Sequence, residues 1–196
     1  MKLLLASKSP ARREMLERAG VPFALCSADF DEERAKAVLR AAGTDARASA
    51  AALARMKAEA AGEPGALVLG ADQTLERDDG SMLDKPGSRE EAAEQLRSLR
   101  CRVHRLHSGA ALAEGGRETW SCVETVVLRV RGFSEDFLAD YLDAEYDAVR
   151  YNVGGYRIEG LGVQLFEAIE GSHFAILGLP LLPLLAHLRD RGALAS

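Results

Sequence analysis

The sequence predicts an α/β protein with a mixed sheet, and three observations lead to that class. Short apolar runs typical of buried strands, such as residues 2–6 and 66–72, alternate with amphipathic or alanine-rich helical stretches. Residues 103–133 contain two long strand-like segments around a turn at 114–116, which favours an antiparallel pair. The 196-residue chain shows no internal repeat or linker. We therefore expect a single domain over residues 1–196, arranged as two lobes about a cleft.

Each element follows from a local signal. Residues 10–19 predict an amphipathic helix that turns Met15, Leu16 and Ala19 inward. The further elements of the first half are a strand over 21–28, two helices within 31–61 that break at Gly43-Thr44, a strand over 66–72 and a hairpin turn at Asp79-Gly80. Those of the second half are a helix capped by Ser88, the two long strands, a helix capped by Ser134, a glycine-dense strand over 154–162 and a helix from Pro180 to about residue 191.

Charge and cysteine usage narrow the class of protein. Hydrophobic residues make up 47% and charged residues 28%, which is typical of a soluble globular protein. The net charge of −5 argues against a surface that coats nucleic acid. Cys26, Cys101 and Cys122 lack C-x-x-C spacing, so we interpret them as buried free thiols in a reducing cytoplasm and not as a zinc site. The apolar runs are too short for a signal peptide or a membrane span, which also favours a cytoplasmic location.

The first helix begins with charges of the wrong sign. Ser9 is a good N-cap and a proline follows it, but the first turn then carries Arg12 and Arg13. A helix N-terminus already has positive character and favours acids, so these arginines indicate an anion. Phosphate suits a strand–loop–helix unit rich in hydroxyls. The alternative, in which both arginines are solvated and pair with Glu14 or Glu17, stays open.

Asp72 is the second candidate for a functional residue. It follows a short apolar strand directly, and α/β proteins bind ligands at the carboxyl ends of their strands. An aspartate that caps a turn is the alternative interpretation. His104 and His107 are interpreted as structural, because their spacing places them on opposite faces of a strand. Three further charged residues would each pass as surface residues by themselves: Glu32, Lys57 and Lys85.

Taken together, these segments resemble the Maf family of nucleotide pyrophosphatases. The matching motifs are "LASKSPARREML", "DFDE" at 29–32, "LARMKAEA" at 53–60, "LGADQTL" at 69–75, "DKP" at 84–86 and "YNVGGYRIEGLGVQLFEAIEGSHFAILGLPL". They cover nearly the whole chain, in order and at compatible spacings. The sequence departs from the family at "LRSLRCRVHRLHSG", where a glycine is replaced, and at Asn152-Val153.

The resemblance implies an elongated, two-lobed Maf/ITPase-like α/β fold with a central cleft, usually in a homodimer. It also implies hydrolysis of a nucleoside triphosphate to the monophosphate and pyrophosphate, with a divalent metal cation (Mg²⁺ or Mn²⁺) and no polymeric nucleic acid or membrane as partner. Two rivals stay open: removal of the γ-phosphate only, and a nucleotide-binding regulator of cell division with little turnover.

The resemblance assigns roles residue by residue. Substrate phosphates would be bound by Ser7, Ser9, Arg12, Arg13 and Lys57. Lys85 would neutralise charge on the leaving group. Glu32 and Asp72 would hold the metal, with Asp72 also the general base.

Three positions are expected to select the base: Ala11, Gln73 and Glu159. "GADQ" and "EGLG" resemble the branch that acts on 7-methyl-GTP, whereas the dTTP and UTP branch carries Thr and Gln at the last two positions. Glu159 could accept from guanine N1–H and its 2-amino group, while Gln73 donates to O6. Ala11 replaces an aromatic residue of that branch, so Tyr156 or Phe166 would have to supply a stacking ring. We therefore expect 7-methyl-GTP or another modified purine as substrate, with dTTP or UTP as the alternative.

Overall fold

A computed structural model describes residues 2–27, 30–61 and 64–195. Ala28, the end of the strand predicted over 21–28, and Asp29 of "DFDE" lie outside the described residues. The strands are β1 (Lys2–Ala6), β2 (Ala24–Leu25), β3 (Ala66–Arg77), β4 (Met82–Leu83), β5 (Val103–Glu114), β6 (Arg117–Val130) and β7 (Phe166–Glu170). The helices are α1 (Pro10–Arg18), α2 (Glu32–Ala41), α3 (Ala46–Ala60), α4 (Arg89–Leu99), α5 (Glu135–Val149), α6 (His173–Ile176) and α7 (Leu181–Asp190). Short 3₁₀ helices cover Val153–Gly155 and Leu161–Leu165.

The strands form one mixed sheet in the order β2-β1-β3-β5-β6-β7, with β4 paired to β3. Strand β1 runs parallel to β2 and to β3, and Leu4 lies opposite Val68. The pairs β3–β4 and β6–β7 are antiparallel, and the second has a register shift at Arg129/Val130. The α/β class and the mixed sheet that the sequence predicts are confirmed.

The chain divides into two compact units. The first unit comprises Met1–Gln73, His107–Thr125 and Ser172–Ser196. The second unit comprises Thr74–Leu106 and Val126–Gly171. The single domain over residues 1–196 stays a prediction.

In the first unit, both faces of the parallel strands are buried. Successive side chains of a strand point to opposite faces, so Leu3 and Leu5 join one apolar cluster while Leu4 joins another. Helix α7 packs against the first of these clusters through Leu181, Leu184 and Leu188, whose spacing places them on one helix face. Burial on both faces is the usual state of parallel strands and explains why this segment is apolar throughout.

The second unit buries a histidine among aromatic rings. His104 is fully buried, and its Nε2 lies 2.7 Å from the hydroxyl of Tyr156. The Tyr156 and Phe166 rings meet edge to face at 4.9 Å between centroids. Burial lowers the pKa of His104 to about 4, so this imidazole is neutral at physiological pH. The structural interpretation of His104 is therefore confirmed, and Tyr156 belongs to the core instead of supplying a ring to a base.

Several elements differ from their predicted form. Strand β3 continues past Asp72 to Arg77, because its end pairs with β4. The glycine-dense segment 154–162 is not a strand. Gly154 there has a φ of 79°, and a Cβ on it would lie 2.6 Å from Leu75 Cδ1, so the backbone turns tightly under a buried side chain.

Smaller corrections concern the length of one strand and the exposure of several residues. The strand predicted over 21–28 is limited to Ala24–Leu25. Ala19, predicted to face inward, is exposed at the end of α1. The cysteines are free as expected, but Cys101 is exposed and the other two are only half-buried. Among the described residues, none of the helices combines the length and apolar character needed to cross a membrane.

Candidate functional site

The candidate site begins at the loop between β1 and α1. Ser9 caps α1 as predicted, with its hydroxyl accepting from the backbone N–H of Arg12 at 3.4 Å. Ser7 Oγ accepts from the Ser9 N–H at 3.2 Å and from Arg12 Nη1 at 3.4 Å. The two hydroxyls therefore organise the loop and connect it to the arginine that follows. Ala11 is half-buried in the same turn.

Arg12 points back into the first unit. Its Nε donates to the carbonyl of Gly178 at 2.7 Å, and Nη1 donates to the carbonyl of Ala71 at 2.9 Å. Burial lowers the pKa of this guanidinium, while the charges of Asp72 and Glu32 raise it. A guanidinium has five N–H donors, so these contacts leave the two donors of Nη2 for another acceptor.

The loop before α7 accommodates this arginine closely. Gly178 has a φ of 92°, and a Cβ placed on it would lie 3.1 Å from Arg12 Nη2. A side chain there would be strained by the backbone and would crowd the guanidinium. Arg12 thus ties α1, β3 and this loop together, a structural role that sequence reasoning missed because neither carbonyl acceptor has a side-chain signature.

Arg13 does not share that position. Its side chain is 51% exposed, and its Nε lies 3.7 Å from Glu17 Oε1, one helical turn further on. For Arg13, the structure shows the alternative given in the sequence analysis, a solvated ion pair with Glu17. Its assignment to substrate binding stays a prediction.

Lys57 brings two acids together. Its Nζ lies 2.5 Å from Asp72 Oδ1 and 2.7 Å from Glu32 Oε2. The lysine side chain is 13% exposed and Asp72 is buried within β3. The three charged residues come from α3, β3 and the start of α2. Lys57 and Glu32, which would each pass as surface residues in the sequence, thus form one cluster with the candidate Asp72.

Two glycines allow α3 to pack directly on the sheet, and this packing determines where the charged cluster lies. A Cβ on Gly70 would lie 2.5 Å from Ala58 N and closer still to the carbonyl of Ala54. A Cβ on Gly109 would lie 2.5 Å from the carbonyl of Ala50. Because no side chain separates the helix backbone from the strands, Lys57, next to Ala58, comes within reach of the β3 carboxylate.

Glu32 has a second lysine partner. Lys36 Nζ lies 3.1 Å from Glu32 Oε1, and the Lys36 side chain is 17% exposed. Burial by itself would raise the pKa of Glu32, but the charges of Lys57 and Lys36 and their hydrogen bonds outweigh it and lower the pKa to about 2. Glu32 is therefore ionised at any physiological pH. Its i,i+4 spacing to Lys36 is a signal that the sequence offered.

The cluster's donor set suits a divalent cation. Among residues 2–27, 30–61 and 64–195, no group of three or more His, Cys, Asp or Glu side chains is placed to hold a metal ion. The carboxylates of Glu32 and Asp72 nevertheless converge on one nitrogen. Mg²⁺ is commonly held by one or two carboxylates together with substrate phosphates, so two converging carboxylates fit such an ion.

Gln73 is held by its amide nitrogen. Nε2 donates to the carbonyls of Ala175 and Ile176 at 2.9 and 3.0 Å, and lies 2.9 Å from Ser108 Oγ. Carbonyls only accept, so the NH₂ end must face them. The predicted donation of this NH₂ to a base O6 is therefore corrected: the amide hydrogens are already engaged, and Oε1, an acceptor, is the remaining polar atom of the side chain.

Lys85 and Glu159 belong to the second unit. Lys85 is exposed just after β4, and Glu159 is exposed in segment 154–162. The buried carboxylate of Glu145 accepts from Arg157 Nε at 2.6 Å and from the Leu161 N–H at 3.3 Å. These hydrogen bonds lower the pKa of Glu145 and anchor the segment on both sides of Glu159.

Comparisons with known proteins find a matching family model and relatives that cover almost the whole chain. A family model described as "Maf-like protein" matches residues 2–191. A protein of Sphingopyxis alaskensis named nucleoside triphosphate pyrophosphatase is 48% identical over 194 residues, with 98% of each chain covered. One of the same name from Granulibacter bethesdensis is 47% identical over 196 residues, with 99% of each chain covered.

Among solved structures, a nucleoside-triphosphatase described as a dITP/XTP pyrophosphatase from Mycobacterium abscessus overlaps with 98% of this chain and 95% of its own. Its TM-score is 0.44 and its sequence identity 17%.

The contacts of Arg12 predict a large effect on stability. Arg12→Ala is expected to lower the free energy of unfolding by about 2–6 kcal/mol, because two carbonyls lose their donors and each costs roughly 1–3 kcal/mol. Arg13→Ala is the matched control from the same helical turn, and its exposed ion pair predicts a change of about 0.5 kcal/mol or less. Equilibrium urea unfolding followed by circular dichroism measures both. Equal effects of the two substitutions would contradict the structural role of Arg12.

Proposed function

The chain belongs to the Maf family, and from that premise we propose that it hydrolyses the α–β phosphoanhydride of a nucleoside triphosphate. The products are a nucleoside monophosphate and pyrophosphate. The enzyme class is that of its relatives, nucleoside triphosphate pyrophosphatases, which are hydrolases. The observation that carries the proposal is the cluster of Lys57, Asp72 and Glu32 beside the half-buried Arg12.

Two cations of the first unit bind the polyphosphate in this proposal. Arg12 offers the two donors of Nη2. Its remaining donors are engaged by two backbone carbonyls and the Ser7 hydroxyl, so its position is set before substrate arrives. Lys57 adds a mobile ammonium on a flexible stem. Ser7 and Ser9 shape the loop through which the N-terminal N–H groups of α1 face an anion.

Asp72 acts on the attacking water. A carboxylate oxygen takes the proton as the water oxygen bonds to the α-phosphorus and the bond to the bridging oxygen breaks. Glu32 and Asp72 would hold the divalent cation, Mg²⁺ or Mn²⁺, which when bound polarises the phosphate oxygens and lowers the pKa of water. Lys85 keeps the role that the resemblance gives it, neutralising charge on the leaving pyrophosphate.

Base selection is assigned to Ala11, Gln73 and Glu159. Gln73 presents an acceptor to a base N–H, since its NH₂ is engaged elsewhere. Glu159 is exposed and can also only accept when ionised. Acceptors suit guanine, which offers N1–H and a 2-amino group, and 7-methyl-GTP adds a positive charge that favours an acid. The substrate is a free nucleotide, and a homodimer remains an expectation.

The products distinguish the proposal from its rivals. With Mg²⁺ or Mn²⁺ and a panel of nucleoside triphosphates, we expect pyrophosphate and monophosphate in equal amounts, because the positive groups can bind a whole polyphosphate. The measurement is a pyrophosphate assay together with chromatography of the nucleotides. Orthophosphate with a nucleoside diphosphate would show γ-phosphate removal, and binding without turnover would favour the regulatory rival.

Asp72→Asn is expected to lower kcat by about 10²-fold or more while the protein stays folded, because the amide keeps an oxygen for Lys57 but loses the basic charge. Asp143→Asn, the same change at the exposed ion pair with Arg89, serves as the control and should leave kcat unaltered. Steady-state rates and thermal melting are measured for both variants. A near wild-type rate for Asp72→Asn would show that another group is the base.

Selectivity is tested by kcat/KM for 7-methyl-GTP, GTP, dTTP and UTP. The wild type is expected to prefer 7-methyl-GTP, and the double variant Gln73→Thr, Glu159→Gln to shift towards dTTP and UTP. Thermal melting of the variant is the control, because Gln73 also holds the Ala175–Ile176 carbonyls. A wild type that prefers dTTP, or an unchanged ranking in a folded double variant, would show that these residues do not select the base.

A further inference from the structure

Lys57 occupies the place between the two carboxylates that a cation would take. Its Nζ contacts Asp72 Oδ1 at 2.5 Å and Glu32 Oε2 at 2.7 Å. An ammonium and a divalent cation repel each other strongly at such distances, and Lys57 already occupies one oxygen of each carboxylate. The two cations therefore cannot be held by this pair at the same time.

We propose that Lys57 competes with the divalent cation for the Glu32–Asp72 pair, and that a nucleotide's polyphosphate relieves this competition by drawing the ammonium away. The inference rests on the proposed function, since it takes a polyphosphate as the second partner of Lys57. Binding of the metal and of the nucleotide then becomes coupled, and the coupling is reciprocal: each ligand raises affinity for the other by the same factor.

The surroundings support such an exchange. Lys36 holds Glu32 through Oε1, the oxygen that Lys57 does not use. Glu32 therefore keeps one partner when Lys57 leaves, and the oxygen that Lys57 releases becomes available to another cation. The nearby Arg12 is fixed by two carbonyls and cannot follow, whereas the lysine stem is flexible. Lys57 is thus the charge of this cluster that is free to change partners.

Metal binding without nucleotide tests the competition directly. Mn²⁺ alone is titrated into the wild type and into Lys57→Met, by calorimetry or by the loss of the free Mn²⁺ resonance signal. We expect Lys57→Met to bind Mn²⁺ more tightly by on the order of tenfold, within the usual range of coupling between sites. No turnover is involved, so the result does not depend on which product the enzyme releases.

Lys36→Met is the matched control. Lys36 is buried to a similar extent, 17% exposed against 13% for Lys57, and it also contacts Glu32. It uses the other oxygen of Glu32, however, and it also contacts Glu33. Both substitutions remove one positive charge from the neighbourhood, but only one frees the carboxylate pair. Equal tightening by the two variants would show a general charge effect and overturn the proposal.

The coupling is measured with a non-hydrolysable nucleoside triphosphate analogue. In the wild type, the analogue should tighten Mn²⁺ binding by more than it does in Lys57→Met, in which the competitor is already gone. An enhancement of the same size in both proteins would overturn the role of Lys57 in coupling.

Folding of the variants is checked by circular dichroism. Should Lys57→Met not fold, Lys57→Gln takes its place, because its amide keeps an N–H donor for Asp72. The expected tightening of Mn²⁺ binding is the same, because glutamine lacks the positive charge. Failure of Mn²⁺ to bind any folded variant would overturn the proposal. That outcome is separate from the pyrophosphate assay, which decides the proposed function by itself.

Discussion

Helix α3 lies directly on the sheet because Gly70 and Gly109 place no side chain between its backbone and strands β3 and β5. The alanines on the facing side of the helix complete the contact with β5, where Ala54 and Ala58 form a buried cluster with Ala111 and Ala113. This close approach decides where the end of α3 can reach. The Lys57 side chain is long enough to contact Asp72, and Glu32 of α2 contacts the same ammonium group. Small residues that carry no chemistry thus determine the position of those that do.

The charges of the first unit are distributed between fixed and movable groups. Arg12 is held by the carbonyls of Gly178 and Ala71, so its geometry does not depend on a ligand. Lys57 is held by acids, which a stronger cation can take over. A site for a highly charged ligand gains from both kinds. A fixed cation lowers the entropy cost of binding, and a movable one keeps a buried and a half-buried carboxylate neutralised until the ligand arrives.

Local chemistry made much of the fold predictable, and long-range packing accounts for the rest. Ser9, Ser88 and Ser134 cap helices as the sequence indicates, since a cap involves only residues a turn apart. The prediction of a strand over 154–162 was wrong, because Gly154 there adopts a positive φ in a tight turn that packs against Leu75. The residues of the site were found through the family motifs, but their contacts were not. Arg12 and Gln73 donate to backbone carbonyls, and because every residue has one, the residue types do not indicate these partners.

The three-way anchoring of Gln73 has a consequence for how selectivity can change. Its amide holds Ala175 and Ile176, and through them the short helix that precedes the Gly178 loop, with Ser108 as a third partner. A substitution at position 73 alters both what the side chain presents and how well that helix is held. Drift or engineering at this position therefore proceeds along a restricted route. A substitution that keeps the helix in place needs another donor for these carbonyls, either from a change at Ser108 or from a water molecule that a shorter side chain admits.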